Sequence, residues 1–384
     1  MKRQWVFALG PLLLLALAIG AVLVLDPLDH LGASAPPVEK LTIERAVLDE
    51  NGISVRVRAD GSEPVTIAQV QVDNAFWSFV QRPAGPLGRL EPAWIDIPYP
   101  WVKGEAHHVK LLTRTGATFD YAIEVAEPTP RFTTERTVAY GLLGLFIGVL
   151  PVALGVLFYP FLKTLGRPGL LFVLALTVGL LAFLFVDTIS EGLEVAEHAA
   201  PTFQAGALVW LAGLLAFLFL FAIGRRGRRP PDGVALAWYM ARGIGLHNLG
   251  EGLAVGSAFA AGQAALGAFL VVGFTLHNLT EGIGIASPVV GPGATPLTWV
   301  GLVALAGLPA VIGSWIGAFA YSPQWTALFL AIGAGAILQV IVEVSRYLVR
   351  MAPDSQIRGV TMNTVGGFAC GLMVMYGTRL LVPL

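Results

Sequence analysis

The amino-acid sequence predicts a polytopic α-helical membrane protein, in which an eight-helix transmembrane block follows one N-terminal transmembrane helix and a small extracytoplasmic β-sandwich. The first observation is composition: 55% of the residues are apolar, 13% are charged and the mean hydropathy is +0.72, whereas soluble domains carry about 25% charged residues. The second is that apolar stretches of roughly 20 residues, enough to cross a bilayer, recur along the chain. The third is a strand-like alternation confined to residues 38–131.

Residues 1–37 are predicted to be a transmembrane anchor followed by a linker. The apolar stretch covers residues 5–25, which is longer than the apolar core of a signal peptide, usually about 7–15 residues. A cleaved signal peptide is the alternative, since Ala33, Ser34 and Ala35 resemble a cleavage site. In both cases the segment that follows is translocated across the membrane.

Residues 38–131 are predicted to form the extracytoplasmic β-sandwich. Apolar and polar residues alternate with period two at 41–43, 53–57 and 65–72, as half-buried strands do. Turn-forming residues at 49–52, 60–61 and 114–116 separate the short runs. His107 and His108 are adjacent, so a strand would point them to opposite faces. We therefore expect surface or turn histidines rather than a shared metal site, and a protein partner for this domain is left open.

Residues 132–384 are predicted to form the eight-helix block within a lipid bilayer. Its apolar stretches cover residues 138–161, 169–186, 205–223, 233–260, 264–290, 297–321, 327–348 and 360–382. Lys and Arg lie at alternate ends of these stretches, which predicts an inner-membrane protein with a cytoplasmic N-terminus and an extracytoplasmic C-terminus. The net charge of -1 gives no reason to expect nucleic acid as a partner. The single cysteine, Cys370, excludes an intrachain disulfide and a Cys-rich zinc site.

The strongest functional signal is a repeated hexapeptide. The sequence reads His-Asn-Leu-Gly-Glu-Gly at 247–252 and His-Asn-Leu-Thr-Glu-Gly at 277–282, near the middle of two consecutive spans. Within each copy the His and the Glu are i and i+4, so on a helix both side chains leave the same face. Consecutive spans run antiparallel, so motifs at matched depth can meet across the helix pair. The sequence thus predicts one midplane metal site, with ligands His247, Glu251, His277 and Glu281.

The charges of these side chains favour a divalent cation. Burying two carboxylates in a membrane is costly unless a cation compensates their charge. Asn248 and Asn278 add carbonyl oxygens for a second or bridging position, and the glycines that end each copy leave room for close helix approach. His and carboxylate ligands suit zinc, with iron or manganese as alternatives. One His-x-x-x-Glu pair can be an interhelical hydrogen bond, but a second copy favours a metal site.

Further polar residues are candidate entrance or accessory groups. Asp187, Glu191 and Glu194 share a helical face at the end of the predicted span 169–186, where an acidic stripe can concentrate cations. A solvated helix end is the plain alternative. Gln339 and Glu343 are i and i+4 within the predicted span 327–348, with Glu343 nearer the cytoplasmic end. An exit-side or inter-helix role is the interpretation of this pair.

At these residues the chain resembles the ZIP (Zrt/Irt-like) family of divalent metal transporters, most of all its bacterial GufA-type branch. The fourth and fifth helices of that family carry His-Asn-x-Pro-Glu-Gly and Gln-Asn-x-Pro-Glu-Gly. The matching positions here are His247, Asn248, Glu251, His277, Asn278 and Glu281. The resemblance covers about residues 138–382 and leaves out the N-terminal helix and the β-domain. Gly250 and Thr280 stand where the family has Pro, and Ala310 stands where it usually has Glu.

The resemblance implies a ZIP-like transmembrane block with a binuclear metal centre, and movement of metal toward the cytoplasm by alternating access. Transport of divalent metal ions, zinc above all, is therefore the leading hypothesis, and the chain is not expected to be an enzyme. Two alternatives stay open. One is a membrane metalloenzyme that uses the same site for hydrolysis, and the other is a metal-binding sensor or assembly protein whose β-domain recognises a partner. The oligomeric state, including a homodimer, is also left open.

Overall fold

A computed structural model describes two folded regions, one of strands and one of helices. The residues it describes are 10, 13–21, 38–123, 125–129, 131–224, 233–260, 264–290, 294–320, 322–352 and 360–380. Residues 13–21 are helical, as predicted for part of the N-terminal span. The remainder of that predicted span and the Ala33-Ser34-Ala35 segment lie outside the described residues.

The strands form two four-stranded antiparallel sheets. In chain order they are β1 Leu41–Asp49, β2 Gly52–Ala59, β3 Ile67–Val72, β4 Ala75–Trp77, β5 Val80–Arg82, β6 Pro92–Ile97, β7 His107–Thr113 and β8 Thr118–Ile123. One sheet has the order β1-β2-β6-β5 and the other β4-β3-β7-β8. Buried side chains from both sheets, among them Val55, Ile95, Val70 and Leu111, form one apolar cluster. The predicted small antiparallel β-region is confirmed, because alternating residues supply a core between two sheets.

The pair His107 and His108 is only partly as predicted. The two side chains do leave opposite faces of β7, since His108 is exposed and His107 is 3% exposed. The expectation that both lie at the surface is wrong for His107. Its Nδ1 lies 2.8 Å from Oδ2 of Asp73, and its ring packs edge-on against Tyr99 with the centroids 5.2 Å apart. A carboxylate and an aromatic ring therefore accommodate this imidazole inside the domain.

The helices follow the strands. They are α1 Thr134–Gly144, α2 Leu150–Val156, α3 Tyr159–Leu162, α4 Arg167–Glu197, α5 Ala205–Gly224, α6 Gly233–Ala260, α7 Ala264–Ala286, α8 Pro296–Ala320, α9 Pro323–Met351 and α10 Met362–Leu380. A π-helical turn at Leu145–Val149 joins α1 to α2. The most extensive helix packing is that of α6 against α8, and α9 packs against α4, α5 and α6.

Five helical segments of the described residues are long and apolar enough to cross a membrane. They are Thr134–Leu162, Arg167–Glu197, Pro201–Gly224, Pro296–Phe319 and Pro323–Met351. By the length and apolar composition of these helices, the chain is a membrane-embedded protein. The helix α4 extends beyond the predicted stretch 169–186 as far as Glu197, so Asp187, Glu191 and Glu194 lie within its last turns rather than beyond its end.

Two prolines interrupt helices beside α6 and α7. Pro151 is the second residue of α2, just after the π-helical turn, and Pro309 lies inside α8. A proline has no N–H, so it cannot bond to the carbonyl four residues before it and it kinks the helix there. The carbonyls of Ile147 and Leu305, four residues before the two prolines, therefore lack that donor.

Among the described residues, the β-domain contacts the helical region at the turn between α4 and α5. The backbone N–H of Thr202, in the turn between α4 and α5, donates to Oδ1 of Asp60 at 3.0 Å. The Arg58 guanidinium lies 5.5 Å from the ring centre of Phe203 in the same turn. On the linker into α1, Thr129 exchanges two hydrogen bonds with Leu48 of β1. The domain thus contacts the α4–α5 turn and the linker residue Thr129, which precedes α1.

Candidate metal centre

Three side chains from α6 and α7 converge inside the helical region. His247 and Glu251 come from α6, and His277 comes from α7; none is more than 5% exposed. One ligand atom from each lies within 4.8 Å of the other two, which is short enough for a single ion. Among the described residues, this is the group of His, Cys, Asp and Glu that could hold a metal.

The local geometry follows from the i, i+4 spacing. His247 and Glu251 lie one turn apart on the same face of α6, and His247 Nε2 is 2.9 Å from Glu251 Oε1. His277 Nε2 of α7 is hydrogen-bonded to the same oxygen. The two imidazole rings lie with centroids 6.3 Å apart. The repeat therefore does meet across the helix pair, and Glu251 is the centre on which both histidines converge.

Glu281, the second predicted carboxylate, does not belong to this group of three. It is 2% exposed, and neither of its carboxylate oxygens has a hydrogen-bond partner in the described structure. A buried carboxylate without a partner is costly unless it is neutralised by a proton or a cation. Glu281 is therefore an open acceptor one helical turn from His277.

The two asparagines bond to the proline-interrupted helices. Asn278 Nδ2 donates to the carbonyl of Ile147 at 2.9 Å and to Oε2 of Glu251 at 2.8 Å. Asn248 Nδ2 donates to the carbonyl of Ala306 in α8 at 3.0 Å. In both residues the amide oxygen is buried without a partner. The expected carbonyl oxygens are thus present and available, while the amide nitrogens fix the motif helices to their neighbours.

The unpartnered atoms define what the site could accept. His247 Nδ1, the amide oxygens of Asn248 and Asn278, and the carboxylate of Glu281 are all buried and have no partner within the described residues. All of these are oxygen or nitrogen atoms of the kinds that bind divalent transition metals. A metal would replace the hydrogens that now join both histidines to Glu251, because imidazole binds metals through a deprotonated nitrogen.

Glycines of the hexapeptides allow backbone to pack on backbone. A Cβ added at Gly252 would lie 2.0 Å from the carbonyl oxygen of Ala310 in α8, and one at Gly282 would lie 2.9 Å from Cα of Gly155 in α2. The expected close approach is confirmed, although the partners are α8 and α2 rather than the other motif helix. These contacts bring the backbone of α6 close to α8 and that of α7 close to α2.

The acidic face of α4 lies near the centre without joining the group of three. Asp187 pairs with Arg379 of α10, a partner that the sequence gave no reason to expect. Glu191 interacts electrostatically with Glu251 as well as with Asp187 and Glu194. Glu194 is exposed. The acidic face therefore runs from an exposed carboxylate toward the buried centre.

The predicted accessory pair on α9 lies on a helix that packs against α6. Gln339 and Glu343 are each 2% exposed. Gln339 lies beside Gly243, one turn before His247 in α6, and its Nε2 has no partner in the described structure. Glu343 forms an ion pair with Arg346 at 3.4 Å. Neither residue belongs to the group of three, and the exit-side or inter-helix role expected of them stays a prediction.

Comparison with known proteins gives no family for this chain. No protein-family model matches the sequence, and no curated protein matches it.

The sequence did not predict the roles of Pro151, Pro309 and Arg379. The prolines could have been noticed as helix interruptions, but only the fold shows that the motif asparagines bond near them.

Proposed function

We propose that this protein transports divalent transition-metal ions across a membrane, with zinc as the main substrate and iron or manganese as alternatives. The observation that carries the proposal is the buried group of His247, Glu251 and His277, whose ligand atoms lie within 4.8 Å of one another on two adjacent helices. Ionisable side chains inside a membrane protein are expensive and usually mark an ion pathway. The ion is the cargo, so its site must be both selective and reversible.

The charge balance supports a divalent ion. With neutral imidazoles, Glu251 and Glu281 bring two negative charges, which one divalent cation compensates. Glu281 and the amide oxygens of Asn248 and Asn278 are buried acceptors that have no partner among the described residues. They supply a second position through which an ion would leave or enter. Binding displaces protons from the histidines, so metal affinity falls as the pH is lowered.

The wider proposal is an eight-helix ZIP-like block, with residues 38–131 outside the inner membrane and movement of metal toward the cytoplasm. The paired hexapeptides and the Lys and Arg distribution support it. The acidic face with Asp187, Glu191 and Glu194 would then form the outer approach to Glu251. Ala310 offers no carboxylate, so we assign the bound cargo first to the three-residue group rather than to a full binuclear centre.

Metal uptake into proteoliposomes tests transport. The Glu251→Ala, Glu281→Ala double variant should take up no zinc, because the carboxylates of the site are gone. A matched control is the Glu50→Ala, Glu63→Ala double variant, which removes two exposed carboxylates of the β-domain. Elemental analysis of each purified protein accompanies the flux. Uptake by the site variant at the wild-type rate would eliminate the proposal.

A membrane metalloenzyme is the second candidate function. The observation in its favour is that the group offers three protein ligands, the number found in catalytic zinc sites, where a water molecule takes the fourth position. Glu281 would then be the nearby carboxylate base. Turnover of lipid or peptide substrates by the zinc-loaded protein, together with absence of metal flux in proteoliposomes, would favour this function over transport.

A further inference from the structure

An arginine of α6, Arg242, has no carboxylate partner in the part of the chain that the structure describes. Arg242 is exposed, and within the described residues it forms no ion pair. Its guanidinium lies 5.5 Å from the ring centre of Tyr239, one turn earlier in the helix. Arginines in the neighbouring long helices differ, since Arg346 pairs with Glu343 and Arg379 pairs with Asp187. Among the described residues, the guanidinium of Arg242 is thus exposed and has a tyrosine ring rather than a carboxylate beside it.

Arg242 lines an open groove along the first part of α6. The groove has a volume of about 420 Å³ and is lined by Ala235, Trp238, Tyr239 and Arg242, which follow the i, i+3, i+4, i+7 pattern of one helical face. Trp238 reaches Gly301 of α8 and Tyr239 reaches Gly224 of α5. Two aromatic rings thus form the sides of the groove, and a cation lies at its inner end.

The depth of Arg242 follows from helix geometry, and this step rests on the proposed midplane position of the metal site. The helix α6 has 28 residues, which at 1.5 Å per residue is about 42 Å. Arg242 lies seven residues before the midpoint of His247–Glu251, hence roughly 10 Å from the bilayer centre. The hydrocarbon half-thickness is about 15 Å. The Cα of Arg242 is thus roughly 5 Å inside the hydrocarbon boundary, within reach of the headgroups for a snorkelling side chain.

We propose that the groove formed by Ala235, Trp238, Tyr239 and Arg242 binds an anionic phospholipid, whose phosphate pairs with Arg242. A guanidinium matches a phosphate in shape and charge and donates two parallel hydrogen bonds to it. Trp and Tyr are the residues that line membrane–water interfaces at headgroup depth. Anionic lipids are attracted to exposed basic residues at this depth by about 1 kcal/mol per residue. The acyl chains would lie along the apolar outer surface of α5 and α8.

Native mass spectrometry of the full chain in detergent, titrated with phosphatidylglycerol or phosphatidylcholine, tests this site. Arg242→Gln should bind phosphatidylglycerol about fivefold more weakly, the equivalent of about 1 kcal/mol, with no change for phosphatidylcholine. Arg242→Lys should keep part of the preference. Lys163→Gln is the matched control, because Lys163 is also an exposed cation over a tyrosine ring, at 4.4 Å from Tyr159. An equal loss in Lys163→Gln would indicate unspecific charge attraction and overturn the site.

Two further measurements separate this proposal from its alternatives. Excess inorganic phosphate should not displace the lipid, and displacement would mean that the groove takes a free anion instead. Zinc content of Arg242→Gln should equal that of the wild type, which shows that the variant is folded. A wild-type protein that binds phosphatidylglycerol through Arg242 but no zinc would contradict the proposed function and keep the lipid site. Unchanged lipid binding in Arg242→Gln overturns the lipid site and leaves metal transport unaffected.

Discussion

Asn278 donates a hydrogen bond to the carbonyl oxygen of Ile147 at 2.9 Å. Ile147 is four residues before Pro151, whose nitrogen carries no hydrogen. The same amide group also donates to Glu251. The second copy of the hexapeptide therefore joins three elements, α2 with its π-helical turn, α6 and α7. Asn248, in the first copy, bonds only to Ala306 among the described residues, so the two copies are alike in sequence but unequal in structure.

This inequality predicts different effects of removing the two asparagines. Asn278→Ala leaves the buried carbonyl of Ile147 without its donor, which costs about 1–3 kcal/mol. In Asn248→Ala the carbonyl of Ala306 lies within the helix α8 and keeps the N–H of Ala310 as a donor, so the loss of stability should be smaller. Only Asn278→Ala also frees the carboxylate of Glu251, and loss of such an outer partner lowers metal affinity by about 10–100-fold. Thermal unfolding and zinc titration of the purified variants measure the two effects separately. Equal zinc affinities in the two variants would contradict the role assigned to Asn278.

Because Gly282 packs closely against Gly155, we expect alanine substitutions at different glycines of α7 to change stability differently. A Cβ at Gly282 would lie 2.3 Å from the carbonyl oxygen of Val152, and both neighbours are backbone atoms that cannot rotate away. We expect Gly282→Ala to destabilise the protein by about 1–3 kcal/mol through overpacking. Gly273→Ala is the control in the same helix, since a Cβ there meets nothing within 4 Å. Its midpoint of thermal unfolding should stay the same or rise, because Ala favours helix over Gly.

The apolar run 233–260, which carries the first motif, was predicted to be a helix and is helical throughout, and the reason is local. The apolar run 233–260 is bounded on both sides by Gly, Pro and polar residues, and α6 is Gly233–Ala260. The meeting of His247, Glu251 and His277 also followed from spacing, because i, i+4 residues share a helical face. The position of Glu281 did not follow. Its distance from the group depends on how far α7 is rotated and shifted by Gly282 against α2, which is a tertiary contact.

In the β-domain, the burial of His107 likewise could not be predicted from the sequence pattern. Alternation predicts that His107 and His108 lie on opposite faces of a strand, but it does not say which face is covered. Burial of His107 depends on Asp73, which lies beyond the end of β3 with a left-handed φ of 50°. Asp73 and His107 are far apart in sequence, so local patterns cannot pair them.

The contact between Asp60 and the α4–α5 turn predicts that the β-domain stabilises this turn. Asp60→Ala removes the acceptor of the Thr202 N–H, so backbone hydrogen exchange should become faster at residues 200–204. Asp120→Ala is the control, since Asp120 is paired only with Lys110 at 3.4 Å on the surface of the β-domain. In Asp120→Ala, the rate of hydrogen exchange at residues 200–204 should equal that of the wild type. Unaltered protection of Thr202 in Asp60→Ala would show that the domain does not hold the turn.

The carboxylate of Asp73 links His107, His108 and Tyr99. Tyr99 donates its hydroxyl to Oδ2 of Asp73 at 2.7 Å, and the backbone N–H of His108 donates to Oδ1 at 2.8 Å. Burial opposes the ionised form of Asp73, but the hydrogen bonds from His108, His107 and Tyr99 outweigh it and lower the pKa of Asp73. The hydrogen bond to Asp73, together with burial, raises the pKa of Tyr99 to about 12.

These shifts predict opposite pH dependences at the two ends of the scale. The lowered pKa of Asp73 stabilises the β-domain above pH 3.8, and this contribution is lost as the pH falls through the folded pKa. The raised pKa of Tyr99 stabilises it below pH 10.0, and this contribution is lost as the pH rises toward about 12. After a pH jump, ionisation of Tyr99 is followed by absorbance at the tyrosinate band. The difference in absorbance between the wild type and Tyr99→Phe should titrate with a pKa of about 12. When the same comparison is made in proteins that also carry Asp73→Asn, the pKa of Tyr99 should move back toward 10.0, because the charged acceptor is gone. A wild-type difference that already titrates near 10.0 would mean that Asp73 does not hold the tyrosine hydroxyl.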